Sequence, residues 1–543
     1  MRSVIARYNR PYLIAFALLS IVVALLLGQF YSKSYIHSDA SQNLSVAKNI
    51  SNGIGIKTDI IYYQQHHEYG SVPAVQTVFP PGLSFITAAF HRATGIPLSL
   101  SLYALCVFFF LAIPIQVFII LRRMKLDAIY SFILACTCYL FSYFWLQTLN
   151  FGSELLFIFI ILLCVLVFPK KNSLDQYTYK KIFFIGMLAG LSVFVRYVGI
   201  FFVISIIIFF MTRFIFKRER KEFYELLFVG AVSSSIPILL FIRNYYITGT
   251  ISGGPQVIQG ASLNETLHAI RWQISMLFGF FLEGKKIGLA ELLVILTFLY
   301  SGYIAAIYFL RDKVSIYTQL AQFSTPAMLS IIYIFTTVVI LFLFSLTKSA
   351  GYFNARYLMT LFPFILILLA DFIRIYKTQN VKITWNIRIL MGLILFSFIV
   401  GQYSILPYHI NIRMSENTKE SLIQPLKESY IGDIPLYEYL RETTTKNNPL
   451  LTNKAQRLWV FLNQPVISFT PSLFTQTQWD EGKVSELIRR YNIDHILLYK
   501  KYYDPDKKAF SNQVFYKNLI NGEIPDWLEL IENNEEIMFL RIR

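Results

Sequence analysis

The stretch YSKSYIHSDASQNLSVAKNISNGIGIKTDIIYYQQHHEYGSVPAVQTVFPPGLSFITAAFHRATGIPL, residues 31–98, decides how the chain is read. It lies between two long apolar runs, 12–30 and 98–121, yet is polar enough to need water. Ser38-Asp39 stands before apolar residues at Ala40, Leu44, Ala47 and Ile50, which is helical spacing with an N-cap in front. Asn52-Gly53 and then Gly55 mark where that helix stops. One apolar stripe among Ser, Gln, Asn and Lys suits a helix lying along a membrane surface, with Asp39 at its positive end. Phe79-Pro80-Pro81-Gly82 starts a second short helix, 83–92, which Gly95 closes. A carboxylate held between membrane and water by two such helices is placed to act as a base toward a lipid-anchored substrate.

Of the 543 residues 55% are hydrophobic and only 15% charged, against about 25% charged in ordinary soluble domains. This composition is that of a polytopic α-helical membrane protein. The formal charge of +17 is unevenly spread: residues 407–543 hold 17 basic and 18 acidic residues, so the first 406 carry 32 and 14. The excess marks cytoplasmic loops of a membrane domain, and nucleic acid is not needed as a partner. Cys106, Cys136, Cys138 and Cys164 all lie in apolar runs, without a disulfide framework or a zinc ribbon. Arg2, Arg7 and Arg10 precede an apolar stretch too long for a signal peptide, with no small-x-small site after it, so a retained anchor is expected.

Further apolar runs fall at 129–146, 151–168, 182–211, 226–242, 289–310, 327–346, 357–375 and 389–405, with basic clusters at 122–125, 170–181, 213–221, 311–313 and 374–388. With the N-terminus cytoplasmic, all these clusters stay inside only if 182–211 crosses twice, as two short helices meeting near Arg196-Tyr197. One long tilted helix is the alternative. The total is about eleven transmembrane helices. The turn 147–150, the loop 244–288, the turn 347–356 and the tail then face outward. Within the loop, 274–282 is too short to span and predicts an interfacial or re-entrant piece. The tail predicts helices at 436–441, 456–462 and 484–491 and strands at 450–452, 466–469, 495–499 and 537–542, a small extracytoplasmic α/β domain (407–543) beside the membrane domain (1–406).

Each candidate has a plain structural alternative. Asp39 as an N-cap would contribute only about 1 kcal/mol. Glu154 opens a helix at its outer end, where a carboxylate is stabilised, yet an acid at that depth belongs beside a polar cavity. Arg196 could snorkel. Arg243, Lys348 and Arg356 join it on the side that normally lacks cations, a pattern suited to a phosphate or pyrophosphate partner. His66-His67-Glu68 reads as a polar loop or a weak zinc motif lacking further ligands.

Taken together, an acid after the first span, a surface helix, Gly53-x-Gly55 and Pro80-Pro81-Gly82 leading into a helix resemble the GT-C membrane glycosyltransferases. Within them the pattern is most similar to the protein O-mannosyltransferases and lipid A aminoarabinose transferases, over roughly the first 400 residues. Ser153-Glu154, Arg243-Asn244-Tyr245 with Thr248-Gly249, and Arg356-Tyr357-Leu358 before Pro363 extend the likeness. Family members often carry a second acid directly after the first; here it is Ala40. The resemblance implies an inverting transfer from a polyprenyl-phosphate-linked sugar to a lipid, glycan or protein acceptor at the outer face of a bacterial inner membrane. It implies Asp39 as base and Glu154 in the same cavity, and the placement of Arg196, Arg243, Lys348 and Arg356 then sets these cations toward the phosphate. A divalent cation, if used, would fall to Asp39 and Glu154. A transporter or flippase, a polysaccharide polymerase or ligase, and a non-catalytic assembly factor are the competing readings.

Overall fold

A computed structural model of the chain describes residues 2–30, 38–169, 177–251, 253, 262–278, 323–347, 355–378, 402, 418–472, 475, 477–500 and 511–543. Helix α1 (Arg2–Phe30) covers the run expected as an anchor. Helix α2 (Ser38–Ser51) follows, with Gly53 in the left-handed region after it. Two short strands, β1 (Lys57–Thr58) and β2 (Ile60–Ile61), lead to α3 (Gln64–Tyr69) and β3 (Ala74–Val75). Helix α4 (Gly82–Thr94) begins behind Pro80-Pro81 and ends at Gly95, whose left-handed backbone returns a hydrogen bond to His91. Both helices of the first loop thus run close to their expected bounds, but α2 is not the surface helix expected: Ser41, Gln42, Ser45 and Asn49 are buried with its apolar residues, because the tail packs over it.

The bundle continues with α5 (Leu98–Arg123), α6 (Ala128–Leu140), α7 (Ser142–Leu149) and α8 (Glu154–Val167). The single run expected at 129–146 is bent by 48° between α6 and α7. The run 182–211 forms two helices, α9 (Tyr179–Val195) and α10 (Gly199–Lys217), packed against each other, with Arg196, Tyr197 and Val198 making the turn. One long tilted helix is therefore excluded. The two helices have 17 and 19 residues, more than the apolar run supplies, because flanking residues such as Lys180 and Lys217 extend each one. A Cβ on Gly199 would lie 2.4 Å from the Ser192 carbonyl carbon and 2.5 Å from the Val193 nitrogen, so only glycine lets the second helix start so near the first.

Helices α11 (Arg220–Thr248), α12 (Leu263–Phe278), α13 (Thr325–Thr347), α14 (Ala355–Leu358) and α15 (Phe362–Thr378) complete the described helices of the bundle. The piece expected at 274–282 begins as the end of α12, a longer helix. Among the described residues six helices are long and apolar enough to cross a bilayer, or seven if α6 and α7 form one span. The runs expected at 289–310 and 389–405 lie outside the described residues except for Gln402. Leu18, Leu25, Leu239 and Phe335 are each more than 60% exposed on these helices. Water disfavours such a surface and hydrocarbon does not, and the chain is an integral membrane protein.

Six strands form the tail's sheet, ordered β2-β7-β6-β8-β10-β9. Beside a separate antiparallel pair, β4 (Tyr430–Ile431) and β5 (Ile434–Pro435), the tail supplies to it β6 (Leu450–Thr452), β7 (Val466–Ile467), β8 (His495–Tyr499), β9 (Leu528–Asn533) and β10 (Ile537–Ile542). The edge strand is β2 of the first loop, parallel to β7, with Val466 N–H donating to Asp59 O at 3.1 Å and Ser468 N–H to Ile61 O at 2.8 Å. A two-residue strand 21 residues after Asp39 carries no period by which sequence could assign it to a sheet in the tail. Helices α16 (Thr418–Glu428), α17 (Leu436–Thr443), α18 (Ala455–Leu462), α19 (Glu481–Tyr491) and α20 (Val514–Ile520) pack around this sheet or precede it. Of these α16 and α20, with β9, were not expected.

Candidate active site

Four chain segments bring four charged side chains to one place. Asp39 sits in the first turn of α2 and Glu154 is the first residue of α8. Arg196 lies in the turn between α9 and α10, and Arg356 on the single turn of α14. Pro363, the second residue of α15, lacks the N–H that a continuous helix would use there, and a tighter 3-10 turn, Met359–Leu361, joins α14 to α15. Arg356 is thereby carried on its own short turn.

The guanidinium of Arg356 bridges both acids. Its Nη1 donates to Asp39 Oδ2 at 2.9 Å, and its Nε and Nη2 donate to Glu154 Oε1 at 2.7 and 2.6 Å. Arg196 Nη1 reaches the same Glu154 oxygen at 2.8 Å and the Ser153 hydroxyl at 2.8 Å, while its guanidinium lies 5.9 Å from the Tyr357 ring centroid. The two acids differ in access: the Glu154 side chain is fully buried, whereas that of Asp39 is 25% exposed. Asp39 is thus the acid that an incoming group can reach. Two charges of each sign cancel, so the buried cluster is internally compensated.

Beside this cluster is a small cleft of about 90 Å³ lined by Asp39, Asn43, Gln147, Asn150, Ser153 and Arg356, among others. Tyr62 and Tyr63 of the first loop face Asp39 as well. Burial and then the Asp39 carboxylate push the Tyr62 phenol up to about 12, and hold that of Tyr63 well above its ordinary range.

No protein-family model and no curated protein matches the sequence. The structure is similar to the crystal structure of ArnT from Cupriavidus metallidurans in the apo state, with a TM-score of 0.54, 10% identity and 98% of each chain covered. The same protein bound to undecaprenyl phosphate matches with a TM-score of 0.52, 10% identity and the same coverage. This is the GT-C fold. The apo oligosaccharyltransferase of Archaeoglobus fulgidus also matches, with a TM-score of 0.47 and 12% identity, covering 90% of this chain and 69% of that one.

Within the GT-C fold the remaining candidates separate from the cluster. Arg243 donates to Gln76 O at 3.0 Å and to Asn244 Oδ1 at 3.2 Å. Asn244 in turn donates to the Tyr197 hydroxyl, which donates to Thr77 O at 2.6 Å. Arg243 therefore fastens the end of α11 to residues 76–77 of the first loop. Lys348 lies outside the described residues. His66 and His67 sit on α3, buried against the tail, and not in the polar loop expected from sequence. His66 faces Gln76 at 3.3 Å and His67 faces Ser468 O at 2.8 Å, so the two rings turn to different partners.

Among the described residues no three His, Cys, Asp or Glu side chains gather as a metal site. Asp39 and Glu154 have a guanidinium between them, where a shared cation would stand. This donor set does not fit a resident divalent cation. Sequence reasoning gave no role to Gln147 and Asn150, which are buried in the cleft wall. Their signal was two amides closing an otherwise apolar run, directly before Ser153-Glu154.

Proposed function

We propose that the protein is a glycosyltransferase of the bacterial inner membrane that moves a sugar from a polyprenyl-phosphate carrier to an envelope lipid, glycan or protein on the extracytoplasmic face. The observation that carries this reading is Arg356 bridging the accessible Asp39 and the buried Glu154 at the edge of a polar cleft. The ArnT fold, and undecaprenyl phosphate bound to one of its crystal structures, support the donor class. Asp39 accepts the proton of the acceptor hydroxyl or amine as that atom bonds to the anomeric carbon. The bond from that carbon to the phosphate oxygen breaks on the opposite side, which inverts the centre. Negative charge builds on the departing lipid phosphate, and Arg356 and Arg196 are the preorganised cations that offset it. Glu154 holds both guanidinium groups in place between turnovers.

The same reading gives the topology. The N-terminus is cytoplasmic, and the site and residues 407–543 face outward, because the basic excess of the first 406 residues then falls in cytoplasmic loops. Residues 1–406 form the transferase domain and 407–543 the outer α/β domain, with β2 of the first loop completing its sheet.

Binding of undecaprenyl phosphate tests the phosphate role. Arg356→Ala and Arg196→Ala are each expected to weaken it about ten- to a hundredfold, since a hydrogen bond to a charged group contributes about 1.5–3 kcal/mol. Arg356→Lys should recover only part, because an ammonium lacks the forked geometry. Native mass spectrometry with titrated lipid reads the difference. Wild-type affinity in both alanine variants would remove phosphate binding from the account.

A further inference from the structure

We propose that the wall of the cleft formed by Gln147 and Asn150, with the buried Glu154 behind Gly152, is the sugar subsite, and that it selects a neutral sugar with free hydroxyl groups. This rests on the glycosyltransferase reading and adds to it the class of sugar. The starting point is a set of polar atoms without partners. Asn150 is 6% exposed, Gln147 3% and Glu154 fully buried. Asn150 Oδ1 and Glu154 Oε2 have no hydrogen-bond partner among the described residues. A buried acceptor left without a donor is disfavoured, and native structures keep few of them unless a ligand or water completes the bonding.

The neighbouring polar groups of the cleft are already engaged. Asn43 donates to Asp39 O at 3.0 Å and accepts from the Ser84 hydroxyl at 3.2 Å, and the Ser153 hydroxyl accepts from Arg196 at 2.8 Å. What remains is the side of the cleft lined by Gln147 and Asn150, with the buried Glu154 Oε2 packed behind it, and its chemistry is that of acceptors and carboxamides. Gly152 lies between two of them. A Cβ there would fall 2.2 Å from Gln147 Oε1 and 2.5 Å from Glu154 Oε2, so the two oxygens converge over a residue with no side chain.

Converging acceptor oxygens bind groups that donate. Sugar hydroxyls donate and can also accept from an amide N–H, which Gln147 and Asn150 supply. A uronic acid would bring a carboxylate against Asp39 and these amide oxygens, and an acylated sugar would lose hydroxyl donors. Both are disfavoured by the same oxygens. Asp39 and Arg356 at the edge of the cleft place base and phosphate contact next to this subsite.

The test compares lipids that differ only in the sugar. Binding to the full-length protein is measured for undecaprenyl phosphate and for undecaprenyl phosphate carrying mannose, glucose, galactose or glucuronic acid. The wild type is expected to bind at least one neutral glycosyl lipid about tenfold more tightly than bare undecaprenyl phosphate, and the glucuronosyl lipid no more tightly. Asn150→Ala and Gln147→Ala should each remove most of that gain and leave affinity for the bare lipid phosphate unchanged, which also reports that the variant is folded. Three results overturn the subsite: no gain for any neutral sugar, a gain that survives both substitutions, or the uronosyl lipid binding best. Failure of the wild type to bind bare undecaprenyl phosphate is a different result. It contradicts the glycosyltransferase reading itself.

Discussion

At Arg356 one guanidinium is asked to serve two roles, and the geometry makes them compete. Its Nη1 is bonded to Asp39 at 2.9 Å, whereas in the proposed reaction it faces a lipid phosphate. A phosphate that takes over this contact also frees the base. Asp39→Asn is therefore expected to bind undecaprenyl phosphate more tightly than the wild type, by about tenfold, since the arginine no longer has to be drawn from a carboxylate. The gain should vanish in an Arg356→Gln background, which separates competition for the arginine from a general loss of negative charge. An unchanged or weaker affinity in Asp39→Asn contradicts the competition. The sequence pointed to Asp39 and Glu154 as acids at helix starts, and to Arg196 and Arg356 as cations on the side of a membrane that normally lacks them. It could not pair them, because Asp39 and Arg356 are 317 residues apart and only the packing of the bundle joins them. Gln147 and Asn150 escaped notice for a related reason: an amide at the end of a span is ordinary until its partners are seen to be missing.

Helix breaks position the site, and they were legible to different degrees. The break at residues 196–198 followed from charge, since basic clusters on both sides of one run force a return. The bend between α6 and α7 had no such mark. There the Gln402 carboxamide accepts from Ser142 N–H at 2.8 Å and from its hydroxyl at 2.6 Å, a contact across 260 residues. The tight start of α10 gives a sharp test. Gly199→Ala sets a methyl group against the backbone of Ser192 and Val193, which cannot rotate away as a side chain would. Such overpacking is expected to destabilise by about 1–3 kcal/mol and to lower the melting temperature in detergent. Gly230→Ala, in α11 with nothing within 4 Å of the added carbon, is the control and should be neutral or slightly stabilising. Equal melting temperatures for the two variants would refute the close reversal.

Across the whole molecule, the first loop joins the bundle to the tail. Its helix α2 carries Asp39, its strand β2 ends the tail's sheet, and Lys48 of α2 donates to Asn463 O of the tail at 3.0 Å. The buried histidines of α3 make this joint sensitive to acid. Burial holds His66 down to about 4 and His67 down to about 3, from an ordinary value of 6.5. Below pH 6.5 the unfolded chain takes up protons that the folded chain does not. Stability is then full above pH 6.5 and falls as the pH drops toward 4, by an amount on the order of a few kcal/mol for the pair. Melting temperature measured from pH 7.5 to 4.5 should decline, and His66→Gln with His67→Gln should flatten the decline. A wild-type profile no steeper than that of the double variant would contradict the buried neutral pair. Sequence placed these histidines in a polar loop, because burial by a partner segment some 400 residues away leaves no local pattern.

The whole account depends on Asp39 as the base, and sugar transfer by the Asp39→Asn protein tests it most directly. Cells lacking the gene are complemented with the wild type or with Asp39→Asn, and envelope lipids and glycans are compared by mass spectrometry. The sugar lost on deletion is expected to return with the wild type. With Asp39→Asn it should be reduced at least about a hundredfold, as for removal of a general base, although the variant accumulates normally and binds undecaprenyl phosphate. If Asp39→Asn restores the sugar to the wild-type level, Asp39 is only a charge at the start of a helix and the mechanism is wrong.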